Sequence, residues 1–172
     1  AEQIRARLRV ENPWWEQPHH IEAPYRSMGR RGYFERFFGL VRQTDIRRAV
    51  VLMGPRRVGK TVMIYQAIQS LLDEGVPPDR LCYLSLEQPL YNKQSLDELF
   101  AHFLAVGDPD PSILRFLFID EIQYLKEWEV HLKSLVDTYP NLKCTVSGSA
   151  AAALKLKSVE SGAGRFTDFL LP

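Results

Sequence analysis

The sequence predicts an α/β fold in which a mainly parallel sheet lies between two layers of helices. Three observations predict it: short apolar segments of strand length, segments with helical apolar spacing between them, and a glycine-rich loop between the first strand and the next helix. This alternation is typical of parallel strands joined by crossover helices. With 172 residues, of which 45% are hydrophobic and 25% charged, the chain is long enough for one domain with its own core.

The predicted elements begin at Gly32, where a helix starts with phenylalanines at helical spacing. The first strand is a β-branched apolar run that ends at Gly54. The helix that follows Lys60 ends at Gly75, and the helix over 95–107 opens with a Ser-x-x-Glu capping box. The remaining strands are predicted at 81–87, 113–121, 143–150 and 165–171, with a further helix that ends at Pro140.

Residues 1–31 are predicted to form an irregular N-terminal arm, and residues 32–172 the core domain. The arm has three prolines and few apolar residues at helical spacing. Three interpretations of Trp14–Trp15 stay open: the pair covers an adenine ring, docks another domain, or simply anchors the arm. For His19–His20, a flexible polar pair is favoured over a metal site, because no acidic or cysteine partner lies at ligand spacing.

The bulk composition argues against a dedicated nucleic-acid or membrane protein. The formal net charge is only +1, no apolar run approaches the ~20 residues that span a bilayer, and the first residues show no signal-peptide pattern. The two cysteines, Cys82 and Cys144, lie in apolar stretches and are expected to be buried and reduced. We therefore expect a cytoplasmic protein, although the arginines could still gather on one face at positions 26, 30, 31, 47, 48, 56 and 57.

The stretch GPRRVGKT at 54–61 fills every fixed position of the phosphate-binding pattern Gly-x-x-x-x-Gly-Lys-Ser/Thr. Its glycines let backbone N–H groups converge on a phosphate, and the following helix contributes its positive N-terminal end. Lys60 adds a charge for the outer phosphates, and the Thr61 hydroxyl is a ligand for Mg²⁺. Arg56 and Arg57 are not required by the pattern. Solvated loop charges are their favoured interpretation, and phosphate contacts the alternative.

Two carboxylates, Asp120 and Glu121, follow directly after the strand segment FLFI, which has no polar residue of its own. Carboxylates at the tip of a buried strand are costly unless a cation lies nearby. In an open α/β sheet this edge is also where ligands bind. Asp120 therefore suits a magnesium site, and Glu121 suits a base that deprotonates the attacking water.

Weaker candidates follow in the last third of the chain. Ser147 or Ser149 could contact the γ-phosphate or the water, and an ordinary serine turn explains them equally well. Arg165 stands between a glycine turn and the fifth strand. Arginine stabilises developing phosphoryl charge, within one chain or from a neighbour, but a structural role is the commoner one.

Four segments together carry a resemblance: VVLMGPRRVGKT, LFIDEIQYL, TVSGSA and GAGRFTDFLLP. They resemble the bacterial and archaeal AAA-type P-loop ATPases that carry a C-terminal domain of unknown function. The resemblance implies the additional-strand, catalytic-glutamate P-loop fold, with sheet order 5-1-4-3-2. It also implies that the chain is truncated before that C-terminal domain, which would be the effector, and that turnover by this part alone is low.

The resemblance also implies the roles of individual residues toward ATP and Mg²⁺. Catalysis is assigned to Glu121, Lys60 and Arg165, with Arg165 acting in its own chain or in a neighbour of a homo-oligomer. Mg²⁺ is assigned to Thr61 and Asp120. The nucleotide-binding residues are Gly54, Pro55, Arg56, Arg57, Val58, Gly59, Lys60, Thr61, Val62 and Ser147, the last as γ-phosphate sensor.

The implied strand order yields a prediction for the cysteines. The strands of Cys82 and Cys144 are separated by the strand that ends at Asp120. The two residues are then about 9–10 Å apart at the nearest, which is beyond disulfide reach. We expect no disulfide between them.

Three other functions are alternatives to an ATPase. A GTPase needs an Asn/Thr-Lys-x-Asp motif, and the NKQS at 92–95 lacks the aspartate. A P-loop kinase usually lacks the glutamate after the metal-binding aspartate and carries an arginine-rich lid, which is not evident here. The third is a binding module in which ATP orders a segment for a protein or nucleic-acid partner without hydrolysis. It stays open, because multiple turnover is the property that separates it from a hydrolase.

Overall fold

The computed structural model describes residues 1–17, 32–55, 59–149, 151–152 and 164–171. Their strands are β1 (Ala49–Met53), β2 (Leu81–Ser85), β3 (Arg115–Asp120), β4 (Leu142–Gly148) and β5 (Phe166–Leu170). Their α-helices are α1 (Glu2–Glu11), α2 (Phe34–Arg42), α3 (Lys60–Asp73), α4 (Pro89–Asn92), α5 (Leu96–Leu104) and α6 (Trp128–Thr138). Short 3-10 turns cover Pro13–Trp15, Pro78–Arg80 and Ile122–Tyr124.

The five described strands form one parallel sheet in the order β2-β3-β4-β1-β5. This is the predicted order 5-1-4-3-2, so the α/β fold class and the strand order are confirmed. All predicted strands are present, each within a few residues of its expected bounds. Because every neighbouring pair is parallel, the carboxyl ends of β1, β3 and β4 meet at one edge of the sheet.

Alternate residues of the strands enter two separate cores. In β1, Val51 and Met53 face the core that contains α1, α5 and α6, while Val50 and Leu52 face the core that contains α2 and α3. β1 is buried at every position because it lies between β4 and β5, with helices on both faces. The sheet thus lies between two layers of helices, which makes a three-layer domain. Each fully buried large apolar side chain in these cores stabilises the fold by about 1.5–3 kcal/mol.

The helix ends follow local sequence signals. Ser95 accepts a hydrogen bond from the backbone N–H of Glu98, and the Glu98 side chain accepts one from the backbone N–H of Ser95, which confirms the capping box at the start of α5. α3 ends at Asp73, and Gly75 follows with φ of 94°, a left-handed conformation that glycine adopts without strain.

The prediction of an irregular arm over 1–31 is wrong for its first part, because Glu2–Glu11 form helix α1. Ile4 and Leu8, one helical turn apart, are both buried against the core shared with α5 and α6. Only two apolar residues make this contact, so the periodic signal was too weak to be recognised. The first proline, Pro13, comes after the helix has ended.

The structure distinguishes the interpretations of Trp14–Trp15. The indole N–H groups of both residues donate to the backbone oxygen of Leu81 in β2, at 2.9 and 2.7 Å. Trp14 is fully buried, and Trp15 stacks on Phe103 of α5 with ring centroids 6.2 Å apart. Both rings are thus engaged with the chain's own core. The pair anchors the N-terminal segment, and the adenine interpretation is wrong.

The expectation for the cysteines is confirmed. Cys82 and Cys144 are free and buried, and both pair with Leu117, one from each side of β3. The width of two strand spacings therefore separates them. Burial raises the pKa of the Cys82 thiol well above its usual value and that of Cys144 to about 12, so both remain protonated at neutral pH.

Several predictions concern residues outside the described part of the chain. They include the histidine pair, part of the phosphate loop and several arginines: His19, His20, Arg26, Arg30, Arg31, Arg56, Arg57 and Val58. Among the described helices, none combines the length and the apolar character that crossing a bilayer demands.

Candidate functional site

A cavity of about 320 Å³ lies at the carboxyl edge of the sheet, beside the start of α3. It is lined by Gly59, Lys60, Thr61, Val62, Glu87, Glu121 and Tyr124. Four of these seven residues belong to the predicted nucleotide-binding set, and Glu121 is the predicted base. A neighbouring cavity of about 290 Å³ shares Thr61 and Glu121 and extends to Asp120 and to Glu11 at the end of α1.

Gly59 is where the loop turns into α3. Its φ of 88° lies in the left-handed region, which side chains with a Cβ rarely adopt, and it caps the helix that begins at Lys60. The first N–H groups of an α-helix have no carbonyl partner within the helix, and the helix dipole makes this end positive. The start of α3 is therefore built to receive an anion.

Lys60 is only 6% exposed, although it carries a charge. Its ammonium group donates to the backbone oxygens of Gly54 and Pro55, at 2.7 and 2.8 Å. These contacts hold the ammonium across the base of the loop, at the wall of the cavity. A cation in this position compensates negative charge on a bound ligand more strongly than an exposed lysine, because water screens it less.

Asp120, which is 2% exposed, is fixed by three side-chain hydroxyl groups. Thr61 and Tyr83 donate to its Oδ2, at 2.6 and 2.8 Å, and Ser147 donates to its Oδ1. The Thr61 and Asp120 oxygens come from a helix start and a strand end, and the fold brings these two residues, the predicted metal ligands, into contact. Hydroxyl and carboxylate oxygens are the ligands that Mg²⁺ takes, so these residues fit that ion.

Tyr83 remains a hydrogen-bond donor to Asp120 at any ordinary pH. Its pKa is raised far above the usual value, mainly by burial and then by the negative charge of Asp120. The phenol therefore stays protonated next to the carboxylate.

Glu121 has φ of 57°, a left-handed conformation that is uncommon for a residue with a side chain. This backbone directs the partly buried side chain into the cavity, while Asp120 stays within the sheet. The Glu121 N–H donates to Ser147 Oγ at 3.0 Å, and Gln123 donates to the Glu121 carboxylate. Backbone strain of about 1–3 kcal/mol that the surroundings maintain is a common feature of functional sites.

Ser147 is at the site, but it does not line the cavity. It is fully buried, with its hydroxyl bonded to both Asp120 and the Glu121 backbone. This arrangement positions the two carboxylate residues relative to each other. This geometry does not favour the direct contact of Ser147 with a γ-phosphate that the resemblance implied.

Arg165 lies at the opposite edge of the sheet from the cavity. Its backbone oxygen accepts from Ala49 N–H at the start of β1, whereas the phosphate loop follows Met53 at the other end. Four residues of strand separate the two positions by about 13 Å. Arg165 pairs with Asp137 of α6 at 2.6 Å and lowers the pKa of that carboxyl. Of the two alternatives left open for Arg165, action within its own chain is therefore not supported by this geometry.

Sequence reasoning missed four residues at the site: Glu87, Tyr124, Tyr83 and Gln123. Glu87 carried a usable signal, since it ends the predicted strand 81–87 at the same edge as Asp120, and Ser85 pairs with Asp120 in the sheet. Tyr83 carried none, because its contact with Asp120 is diagonal across two strands and depends on their register.

Comparison with known proteins agrees with this geometry. A family model described as an AAA domain matches residues 46–172. An uncharacterized protein of Methanocaldococcus jannaschii is 32% identical over 114 residues, covering 66% of this chain and 24% of that protein. An uncharacterized protein of Haemophilus influenzae is 24% identical over 141 residues, covering 82% of this chain and 34% of that protein.

The chain thus spans about a quarter to a third of the length of these two relatives. Among solved structures, C. elegans PCH-2 is similar with a TM-score of 0.48 and 17% identity, over 79% of this chain and 40% of that one. The family match covers most of the chain, including the phosphate loop, both carboxylates and all five strands. The chain belongs to the AAA domain family, a family of P-loop ATPases.

Proposed function

We propose that this chain binds ATP with Mg²⁺ in the cavity at the start of α3 and hydrolyses it to ADP and phosphate. The observation that carries the proposal is that Lys60, Thr61 and Glu121 line one cavity, and that Thr61 is bonded there to the buried carboxylate of Asp120. We propose that the cycle of ATP binding and hydrolysis makes the domain a motor or a switch that controls an effector.

The phosphates are proposed to lie against the N-terminal end of α3. There the backbone N–H groups donate to phosphate oxygens, and the Lys60 ammonium turns from the Gly54 and Pro55 carbonyls toward the outer phosphates. Thr61 and Asp120 would hold Mg²⁺, which neutralises charge on the phosphate oxygens when bound.

Glu121 is proposed to orient the attacking water and to accept its proton. Glu121 lines the cavity, its carboxylate accepts a hydrogen bond from Gln123, and its backbone N–H donates to Ser147. Asp120 is kept from this role by its three hydroxyl donors and its burial. Two adjacent carboxylates thus face different targets, because one stays in the strand and the other leaves it in a left-handed turn.

A second function, an ATP-gated binding module with little hydrolysis, is favoured by one observation. Within the described ranges, no arginine lines the cavity, and Arg165 is engaged with Asp137 at the far edge. An arginine that stabilises the transition state of phosphoryl transfer is worth about 10³–10⁵ in rate. Without one, hydrolysis would be slow, and the bound ATP itself would act as the signal.

Multiple-turnover phosphate release separates these two functions. With excess ATP and Mg²⁺, we expect the chain to release several phosphates per site, and with EDTA in place of Mg²⁺ we expect release to stop. Binding of ATP without more than one phosphate released per site would contradict the hydrolase and support the binding module. GTP is the matched nucleotide control, because the chain has no guanine-recognition motif.

Arg165 is proposed to act on the nucleotide of a neighbouring copy in a homo-oligomer. Arg165→Ala should then lower turnover with little change in ATP affinity, because its own cavity is intact. Mixing it with Lys60→Ala protein should restore part of the rate, since each partner supplies what the other lacks. The control is Arg165→Lys, which keeps the charge near Asp137 but not the planar guanidinium. A mixture no faster than the sum of its parts would contradict action between copies.

A further inference from the structure

The N-terminal segment Glu2–Trp15 covers the free edge of the sheet with side chains instead of a strand. β2 is an edge strand, with β3 on one side only. On its other side, Leu81 O accepts from the two tryptophan indoles, and Tyr83 is bonded to Asn12. An exposed strand edge leaves unpaired backbone groups, and here Leu81 O and both backbone groups of Tyr83 are paired by residues that follow α1.

Asn12 bonds both backbone groups of Tyr83. Its Oδ1 accepts from Tyr83 N–H at 2.6 Å, and its Nδ2 donates to Tyr83 O at 2.9 Å. The second Nδ2 proton goes to Leu8 O at 2.8 Å, which ties the same amide to α1. The Asn12 side chain is fully buried, so an unpaired group here would cost about 1–3 kcal/mol. A primary amide is the group that offers two donors and an acceptor in this arrangement.

The Tyr83 side chain extends from this clamped backbone toward the nucleotide site. Its ring packs against Tyr65 of α3, with centroids 4.7 Å apart, and its hydroxyl donates to Asp120 Oδ2. This is the oxygen that also accepts from Thr61. A short chain of contacts therefore leads from α1, through Asn12 and Tyr83, to the carboxylate beside the phosphate loop.

We propose that Tyr83 is a positioning residue for the metal-binding carboxylate Asp120, and that Asn12 sets the place of Tyr83, so that the N-terminal segment acts on the nucleotide site through Asn12. The proposal rests on the proposed role of Asp120 toward Mg²⁺. A hydrogen bond to a ligating carboxylate fixes its orientation, and its loss typically costs about 10–100-fold in metal affinity. A tyrosine that only fills the core would affect stability and leave the Mg²⁺ requirement unchanged.

Tyr83→Phe tests the first step, because it removes the hydroxyl and keeps the ring. The measurement is the affinity for a non-hydrolysable ATP analogue by calorimetry, over a series of Mg²⁺ concentrations and in EDTA. We expect the Mg²⁺ concentration needed for half of the affinity gain to rise about 10-fold, with the affinity in EDTA unchanged. Tyr91→Phe is the matched control, since the Tyr91 hydroxyl donates to Glu11 instead of Asp120, and we expect no rise.

Asn12→Ala tests the second step, and Trp15→Phe is its control. The control removes one bond from the same segment to the same strand but leaves Leu81 O bonded to Trp14. We expect the Mg²⁺ concentration needed for half of the affinity gain, the Mg²⁺ requirement, to rise for Asn12→Ala and to stay unchanged for Trp15→Phe. This expectation holds whatever either substitution does to the melting temperature. In the double variant Asn12→Ala/Tyr83→Phe, the requirement should not exceed that of Tyr83→Phe alone, because Asn12 acts through the hydroxyl.

Three outcomes would overturn the inference, and they are distinguishable. A parent protein with no Mg²⁺-dependent nucleotide binding contradicts the proposed function and this inference with it. A parent that depends on Mg²⁺ and a Tyr83→Phe variant identical to it overturn the inference alone. If the two substitutions raise the required Mg²⁺ concentration by fully additive amounts, Asn12 does not act through Tyr83. If Asn12→Ala does not fold, the comparison of Tyr83→Phe with the parent still tests the positioning role.

Discussion

Replacing Glu121 by Gln should leave ATP bound but lower its hydrolysis about 100-fold or more, the usual worth of a positioned base. The amide keeps the size of the side chain and can still bond to Gln123, but it cannot accept a proton from water. The Asp120 cluster of hydroxyl donors does not involve the Glu121 side chain, so the proposed magnesium ligands are unchanged. The measurement is single-turnover and multiple-turnover phosphate release, with ATP affinity measured in parallel.

Glu127→Gln is a matched control for this variant. Glu127 has the same φ of 57° as Glu121 and also precedes a helical turn, but it is exposed and does not line the cavity. We expect its variant to hydrolyse ATP at the parent rate. A Glu121→Gln protein that is as fast as the parent would rule out the catalytic assignment and leave the ATP-gated binding module as the better function.

The part of the fold near the phosphate loop was predictable because its signals are local. A β-branched run, a glycine at a left-handed position and an apolar helical stripe occur within 30 residues and specify strand, loop and helix in turn. The carboxylates of Asp120 and Glu121 were recognisable for a related reason, since charge at the tip of an apolar strand needs a compensating partner. The strand order itself followed from the family resemblance and not from these signals.

The rest could not be predicted because it depends on contacts between distant segments. α1 buries only Ile4 and Leu8, and its docking relies on the Asn12 amide meeting the backbone of Tyr83, 71 residues away. Whether Tyr83 reaches Asp120 is decided by the register of β2 and β3 and by the packing of α3 above them. Whether Arg165 acts within its own chain could not be decided from its motif, which gives only a place in the sequence, whereas the direction of β5 puts Arg165 at the edge of the sheet away from the cavity.

Replacing Lys60 by Ala should weaken ATP binding about 10- to 100-fold, as measured by calorimetry. A hydrogen bond to a charged group contributes roughly 1.5–3 kcal/mol, and 1.4 kcal/mol corresponds to a factor of ten in affinity. The low exposure of the ammonium places this contact toward the upper end, because solvent screens it little. The backbone donors at the start of α3 remain in the variant, so binding should be weakened rather than abolished.

Lys143→Ala controls for the general effect of removing a buried lysine. Lys143 is 5% exposed, and its ammonium also donates to a backbone oxygen, that of Arg48, at 2.9 Å. It lies near the start of β4, at the edge of the sheet away from the cavity. We expect Lys143→Ala to change stability but not ATP affinity, whereas Lys60→Ala changes affinity in a folded protein. If both variants fold and bind ATP as the parent does, the loop at 54–61 is not the phosphate site, and the function proposed for it fails.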